Sequence, residues 1–252
     1  MSKIDFLGIK IDNYNLEEAL NRVDEIVAKR KPSYYCGVNL NQLVLYKENG
    51  RLHEIFDKAE LLTIDGKPVM WISKMLKTPF KQKISGPDFM YETCKLADKK
   101  GYRVFLLGGA EGVGQAAVNN IRKTCPNLQV AGIYSPPFGF EKDPIEMKKI
   151  NTMLKESNAD LLYVGLGSPK QDIFIDDNKN EYQIPLSFSV GIAIDYLGGN
   201  IKRAPVWMQN IGLEWFYRFC QEPKRLFKRY FIDSWKVIGY YRGFKQEKRE
   251  KH

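Results

Sequence analysis

Short apolar runs alternate with amphipathic segments along most of the chain. The runs that predict strands are residues 4–11, 33–38, 61–64, 102–107, 128–133, 161–164 and 186–190. Between them, apolar residues recur at helical spacing, and Asn15 with Glu18 forms a capping-box pattern at the start of the first such segment. Strands that alternate with helices predict an α/β fold with a mostly parallel sheet covered by helices.

The run 61–64 ends in Asp65-Gly66, which predicts a turn before the next helix. In open α/β sheets, ligands bind at the carboxyl ends of the strands, so the Asp65 carboxylate lies where a bound ligand can reach it. There it can accept a proton from a hydroxyl nucleophile. The alternative interpretation is an Asp-Gly turn that only caps the following helix.

A glycine-rich turn, residues 108–114, follows the strand at 102–107. The absence of a side chain lets backbone N–H groups of Gly108 and Gly109 approach an anion, and the dipole of the next helix favours negative charge there. No acidic residue follows the next strand to hold a ribose, so the pattern favours a nucleotide over NAD. A tight turn that requires small residues is the alternative.

Other strand-end segments carry polar or aromatic candidates. In the turn 165–171, Lys170 can contact a phosphate and the Gln171 amide can hydrogen-bond a sugar, although a capped helix start explains the same residues. Asp195 is a further carboxylate beyond a strand. Phe138 offers a ring on which a base can stack, or one that simply packs in a loop.

Composition narrows the class of protein. The chain has 252 residues, of which 44% are hydrophobic and 27% charged, as in an ordinary globular protein. The N-terminus lacks the apolar region of a secretory signal, and no segment is long and apolar enough to span a bilayer. Four scattered cysteines and two histidines argue against a disulfide framework and a histidine metal site. We therefore expect a reduced, cytoplasmic protein.

The net charge of +9 is concentrated near the C-terminus. Residues 200–252 hold thirteen Lys/Arg and five Asp/Glu, a balance of +8 that leaves about +1 to residues 1–199. The same segment contains three of the four tryptophans. We therefore predict two parts, a catalytic α/β core at 1–199 and a basic, aromatic, helical appendage at 200–252.

Within the appendage, Pro223 can open a helix with one basic face and one apolar face. The basic face holds Lys224, Arg225, Lys228 and Arg229, and the apolar face holds Leu226, Phe227, Tyr230 and Phe231. Such a helix suits an anionic membrane surface, or it packs on the core with its basic side in water. Nucleic acid is not expected, because the neutral core offers no second basic surface.

Several segments together resemble a known family. They are Asn39 after a strand, Ile-Asp65-Gly, Ser85-Gly-Pro-Asp88, Leu-Leu-Gly108-Gly109, Gly165-Leu-Gly-Ser-Pro-Lys-Gln171, Arg203-Ala-Pro-Val-Trp207 and Glu214-Trp-Phe-Tyr-Arg218 with Glu222-Pro-Lys-Arg225. In this order they are similar to the WecG/TagA/CpsF glycosyltransferases, over nearly the whole chain.

The resemblance implies a Rossmann-like core and an inverting, metal-independent transferase. Its expected donor is a UDP-sugar, often UDP-N-acetylmannosamine, and its expected acceptor is N-acetylglucosamine on a lipid diphosphate. The family's general base falls on Asp65, with Asn39 and Gln171 in supporting polar roles. Its nucleotide pocket maps onto the Gly108-Gly109 turn, the Phe138 loop and Asp195.

This sequence departs from the family pattern at three positions. Gly37 stands where threonine is common, Lys83 where arginine is common, and Asp172 where glutamate follows the glutamine. We keep Lys83 among the substrate-binding candidates, and we expect that the donor or acceptor can differ from that of the teichoic-acid enzyme.

Cations must stabilise the departing diphosphate, since the chain has no Asp-x-Asp motif to hold a metal. No cofactor is therefore expected. The candidates for this role are Arg203, Arg218, Arg225 and Arg229.

Three functional classes remain open. A glycosyltransferase bound peripherally to the inner face of the cell membrane is favoured, with a possible homo-oligomeric state. An NAD-type oxidoreductase and a non-catalytic module that binds membranes or polyanions are the alternatives. Binding of UDP or NAD separates the first two, and turnover of a UDP-sugar separates the third.

Overall fold

A sheet of six parallel strands forms the centre of the molecule. The structure is a computed structural model that describes residues 3–250, except for the side chains of residues 229, 232–234 and 247–250. The strands of the sheet are β3 (Ser33–Val38), β4 (Leu61–Ile64), β5 (Arg103–Gly108), β6 (Gln129–Tyr134), β7 (Leu161–Gly165) and β8 (Leu186–Ser189). They lie in the order β4-β3-β8-β7-β5-β6. The predicted α/β class with a mostly parallel sheet is confirmed.

Helices cover both faces of this sheet. They are α1 (Leu16–Ala28), α2 (Leu40–Glu48), α3 (Gly50–Asp57), α4 (Lys67–Met75), α5 (Gly86–Lys100), α6 (Val113–Arg122), α7 (Pro144–Glu156), α8 (Lys170–Tyr182), α9 (Ala193–Gly198), α10 (Val206–Ile211), α11 (Glu214–Gln221), α12 (Pro223–Phe227) and α13 (Asp233–Glu250). The predicted capping box of α1 is confirmed, since Asn15 and Glu18 each accept the other's backbone N–H at 2.8 Å.

The alternation of side chains along each strand produces two hydrophobic cores. In β7, Leu161 packs with α1, α5 and α6 on one face, whereas the next residue, Leu162, packs with α2, α3, α7 and α8 on the other. All four residues of β4 and of β8 are buried. Because the sheet is covered on both sides, the residues that remain available for chemistry lie at its ends.

The single strand predicted over residues 4–11 is wrong. The structure has two antiparallel strands there, β1 (Lys3–Phe6) and β2 (Ile9–Asp12), joined by a turn at Leu7 and Gly8. Gly8 adopts a positive φ of 93°, and its N–H donates to Asp5 Oδ1 at 2.8 Å. The apolar alternation continues through this turn, which explains why the sequence predicts one strand.

The last helix, α13, lies against α2. Lys236 and Tyr240 both bond to the carboxylate of Glu48 in α2, and Val237 is buried. The helix predicted to begin at Pro223 is present as α12, which continues through a π-helical turn (Lys228–Ile232) into α13. The division into parts at residues 199 and 200 stays a prediction.

The apolar residues predicted to share one face of this helix have different surroundings. Leu226 is buried, whereas Phe227 is 53% exposed. The Phe227 ring stacks on that of Phe231 with centroids 5.1 Å apart. The structure therefore divides this face into an inward-facing residue and an exposed aromatic pair.

Candidate functional site

A cavity of about 930 Å³ opens at the carboxyl ends of β3, β4, β7 and β8, between the sheet and helices α10 to α12. The site residues predicted from the sequence that line it are Asn39, Asp65, Lys83, Gln171, Asp195, Arg218 and Arg225. Those that are not among its described lining residues are Gly108, Gly109, Phe138, Lys170 and Arg203. The cavity thus brings together the three residues predicted to be catalytic.

Asp65 follows β4 directly and is partly buried in the cavity wall. Its pKa is raised to about 6, because burial penalises the charged carboxylate and the nearby Glu214 adds a like charge. Lys83, Arg203 and the backbone N–H of Gly86 act in the opposite direction. A carboxylate with a pKa near neutrality can accept a proton and later release it, as a general base must.

Asn39 caps the helix that follows β3. Its side-chain oxygen accepts the backbone N–H groups of Asn41 at 2.9 Å and Gln42 at 3.4 Å. This cap fixes the direction in which α2 leaves the sheet beside Asp65. The supporting catalytic role of Asn39 stays a prediction.

Gln171 is 2% exposed, and both ends of its amide are used within the protein. The oxygen accepts the backbone N–H of Gly167 at 3.0 Å and of Gly191 at 3.1 Å. The nitrogen donates to the hydroxyls of Ser189 and, at 3.4 Å, Ser168. The amide therefore joins the loops after β7 and β8, and its predicted catalytic role stays untested.

Asp172 is fully buried beneath this joint and accepts three hydroxyl donors. Tyr34 donates at 2.6 Å, Ser168 at 2.5 Å and Ser189 at 2.6 Å. Burial raises the pKa of the Asp172 carboxyl, and the three hydroxyls oppose that rise. This residue, one of the three that depart from the family pattern, is thus bonded directly to Ser168 and Ser189, which line the cavity.

The Gly108-Gly109 turn has a packing explanation. A Cβ atom on Gly108 would lie 2.4 Å from the carbonyl oxygen of Gly165, so this glycine lets β5 and β7 approach closely. Gly108 also has a φ of 114°, which disfavours other residues. The alternative of a tight turn that requires small residues describes this geometry, and the nucleotide role of the turn stays a prediction.

Phe138 and Lys170 lie together outside the described cavity lining. The Phe138 ring is fully exposed, and the Lys170 ammonium lies 5.5 Å from the ring centroid. Lys170 also pairs with Glu141 at 2.8 Å. Their predicted contacts with a base and a phosphate remain predictions.

Asp195 and Tyr196 lie side by side at the start of α9, and both line the cavity. Asp195 accepts the side-chain N–H of Asn200 at 3.0 Å. The Tyr196 hydroxyl is buried and has no hydrogen-bond partner among the described residues. Burial raises the pKa of Tyr196 to about 12, so the hydroxyl keeps its proton at neutral pH and can donate it in a hydrogen bond.

The four arginines predicted to contact diphosphate differ in their surroundings. Arg203 is held by Asp88, Ser85 and Glu214, and Arg225 by Glu222. Arg218 is only 14% exposed and lies 3.8 Å from its nearest carboxylate partner. The side chain of Arg229 lies outside the described residues.

Arg218 retains capacity for a further ligand. Its Nε is buried without a hydrogen-bond partner among the described residues, and its guanidinium lies 5.8 Å from the centre of the Tyr196 ring. A cationic side chain whose Nε has no partner among the described residues, beside a hydroxyl donor in the same state, provides the chemistry that binds an anion.

Comparison with known proteins gives the family. Residues 4–251 match the profile described as the Glycosyl transferase WecG/TagA/CpsF family. The chain belongs to this glycosyltransferase family. The resemblance identified from the sequence motifs is confirmed.

Two proteins similar to this chain share one name, N-acetylglucosaminyldiphosphoundecaprenol N-acetyl-beta-D-mannosaminyltransferase. The Bacillus subtilis (strain 168) protein is 32% identical over 172 residues, which make up 68% of this chain and 65% of that protein. The Staphylococcus aureus (strain MRSA252) protein is 28% identical over 227 residues, 89% of this chain and 87% of that protein.

Sequence reasoning did not name several cavity residues of this WecG/TagA/CpsF family member as site residues. Among them are the polar residues Gln42, Tyr196 and Glu214. Gln42 donates to Ser168 at 3.2 Å, and its side-chain oxygen is buried without a partner among the described residues. Gln42 and Tyr196 each lie within four residues of a predicted site residue, and this closeness along the chain could have indicated that they belong to the site.

Two further findings concern the described part of this glycosyltransferase. Among residues whose side chains are described, no three His, Cys, Asp or Glu residues are grouped so that they could hold a metal ion. The expected metal independence stays a prediction. Within the described part of the chain, no helix combines the length and apolar character needed to cross a membrane.

Proposed function

We propose that the protein is an inverting glycosyltransferase that moves N-acetylmannosamine, or a related hexose, from a UDP-sugar to N-acetylglucosamine on a lipid diphosphate. The observation that carries this proposal is Asp65, a carboxylate with a raised pKa in the cavity of a glycosyltransferase-family fold. The names of the relatives support the choice of sugar and acceptor.

In the proposed reaction, Asp65 accepts the proton of the acceptor hydroxyl. The hydroxyl oxygen forms a bond to the anomeric carbon of the donor as the bond from that carbon to the diphosphate oxygen breaks. The electron pair leaves with UDP, and the anomeric configuration inverts because attack and departure occur on opposite faces. With a pKa of about 6, Asp65 is mostly ionised at neutral pH and ready to act as the base.

The departing diphosphate needs positive charge or hydrogen-bond donors. We assign this role to Arg218 and Tyr196, which line the same cavity as Asp65 and each hold a buried donor without a partner among the described residues. Arg225 lines the cavity as well, although its guanidinium is paired with Glu222. The buried donors are the stronger candidates, because screening by water is weakest around them.

The C-terminal helices are proposed to place the cavity at an anionic membrane surface, where a lipid-linked acceptor resides. Phe227 and Phe231 form an exposed aromatic pair, and Trp235 is also exposed. Exposed Lys224 and Lys228 lie in the same segment. Exposed aromatic and basic residues together favour the boundary between lipid headgroups and acyl chains.

The test is a screen of UDP-sugars against a short-chain, lipid-linked N-acetylglucosamine acceptor, with the product's mass and anomeric configuration determined. We expect one UDP-sugar to give a product with inverted configuration. Retention of configuration would contradict the proposed mechanism. Binding and turnover of NAD without turnover of any UDP-sugar would favour the oxidoreductase alternative.

A further inference from the structure

Arg203 is surrounded by hydrogen-bond acceptors on two helices. Its Nε donates to Glu214 Oε1 of α11 at 3.0 Å. Its two terminal nitrogens donate to the two carboxylate oxygens of Asp88 in α5, one of them at 3.0 Å. The same terminal nitrogen lies 3.3 Å from the Ser85 hydroxyl. All three nitrogens of this guanidinium are therefore engaged within the protein.

Two of these partners lie at the start of α5. Ser85 is the N-cap residue, Asp88 lies in the first turn, and the Ser85 hydroxyl donates to the Asp88 carboxylate. Gly86, the first residue of the helix, directs its backbone N–H to the Asp65 carboxylate. Arg203 thus holds the turn that supplies a backbone donor to the proposed base.

We propose that Arg203 is a positioning residue that clamps α11 to the first turn of α5 and so keeps the Gly86 amide directed at Asp65. This inference rests on the proposed function, because it takes Asp65 to be the general base. It replaces the expectation from the sequence that Arg203 braces a diphosphate. It also links two of the segments that carry the family resemblance, residues 85–88 and 203–207, since Asp88 and Arg203 bond directly.

Several groups act on the charge of Asp65. Lys83, Arg203 and the Gly86 amide stabilise its charged form, whereas burial and Glu214 destabilise it. Tyr35 and Cys36 of β3 also interact with this carboxylate, and they stay neutral because burial raises the pKa of each. Removing Arg203 would raise the pKa of Asp65 in any case, because a cation is lost.

Substitution of Asp88 distinguishes a positioning role of Arg203 from a direct effect of its charge on the pKa of Asp65. Asp88→Asn removes an anion from the neighbourhood of Asp65, so a direct charge effect would lower the pKa of Asp65 or leave it unchanged. Loss of the clamp would instead release the Gly86 amide and raise that pKa. The two interpretations therefore predict opposite signs for one nearly isosteric substitution.

The experiment is a pH titration of the Asp65 carboxyl by carbon-13 NMR in the full chain, with the signal assigned by its loss in Asp65→Asn. We compare the wild type, Arg203→Gln, Asp88→Asn and the control Arg30→Gln, which breaks an arginine–aspartate pair with Asp160 remote from the cavity. We expect the midpoint to rise by about half a pH unit or more in both clamp variants and to stay unchanged in the control.

A lowered or unchanged midpoint in Asp88→Asn would overturn the proposal. If Arg203→Gln does not fold, Asp88→Asn alone decides the outcome. The titration needs neither donor nor acceptor, so its result stands apart from the success of the UDP-sugar screen.

Calorimetric binding of UDP and UMP provides the second readout. A positioning role predicts that Arg203→Gln binds UDP within about twofold of the wild type, because Arg203 touches no phosphate. A tenfold loss of UDP affinity with unchanged UMP affinity would instead make Arg203 a diphosphate ligand and overturn the proposal.

Discussion

The two walls of the cavity are built in different ways. On the sheet side, Gln171 lines the cavity and the neighbouring Asp172 is buried, and both have their polar atoms bonded to neighbouring loops and hydroxyls. On the side of the C-terminal half, Tyr196 and Arg218 keep buried donors without partners among the described residues. Around Gln171 one wall is internally satisfied apart from the side-chain oxygen of Gln42, whereas the other wall retains two buried donors without partners among the described residues.

This difference indicates a division of labour. A satisfied network holds its members in one arrangement, which suits a wall that must keep a base in position. Buried polar atoms without partners are costly, so their presence in the other wall is most easily explained by a ligand that completes them. The exposed aromatic pair, Phe227 and Phe231, belongs to the same less satisfied side of the molecule.

The largest expected loss of turnover comes from a substitution in the wall on the sheet side. Asp65→Asn removes the proposed base, so we expect turnover to fall by about a hundredfold or more. UDP affinity should persist, because the carboxylate addresses the acceptor. Turnover is measured with the soluble lipid-linked acceptor, and UDP binding by calorimetry.

Thermal unfolding is the control for this variant. The folded-state pKa of Asp65 is raised, so its ionisation weakens folding as pH rises through about 6. Asp65→Asn should therefore unfold at the same or a higher temperature than the wild type at pH 7. Near-normal turnover in a well-folded variant would remove Asp65 from the mechanism.

The next largest loss of turnover is expected from a substitution in the wall that holds Tyr196 and Arg218. Arg218→Gln should lower turnover by about 10–100-fold, the size expected when a hydrogen bond to a charged group is lost. UDP affinity should fall, while UMP affinity should change little. Arg242→Gln, an exposed arginine of α13, is the matched control. Equal losses of UDP and UMP affinity would argue against a diphosphate contact.

A smaller effect is expected at the membrane. The double variant Phe227→Ser with Phe231→Ser should reduce binding to anionic liposomes by about tenfold, because partly exposed aromatic surface no longer enters the lipid. Sedimentation with liposomes at two salt concentrations measures this loss. Ile145→Ser, at an exposed position of α7, is the control. Equal liposome binding by both variants would exclude the aromatic pair as the contact.

The smallest expected effect is that of chelation. We expect turnover to stay within about twofold in excess EDTA, since Arg218 and Tyr196 are proposed to replace a metal at the leaving group. The measurement compares initial rates with and without chelator. Activity that is lost in EDTA and restored by Mg²⁺ or Mn²⁺ would reject this assignment.

Local pattern predicted most of the fold and part of the site. Strand runs ending in turn residues located Asp65, Asn39 and Gln171, and the cavity contains all three. Such residues are found because the ends of parallel strands meet at one edge, so position along the chain fixes position in space. The hairpin at residues 3–12 was not predicted, because the alternation of apolar and polar residues does not reveal where a strand reverses.

Long-range pairing could not be predicted in this way. Arg203 and Asp88 are 115 positions apart, and nothing in their spacing shows that they bond. For the same reason, four arginines in one basic segment looked equivalent, although Arg203 is fully engaged and Arg218 is not. Their separate roles depend on partners that only the folded chain brings close.

The pH dependence of turnover tests the central claim that Asp65 is the base. Because only its ionised form accepts a proton, and its pKa is about 6, the rate at saturating substrate should be level above pH 7. It should fall about tenfold for each pH unit well below 6, with binding of UDP retained. A rate that stays level down to pH 5 in the wild type, with the protein still folded, would contradict the account.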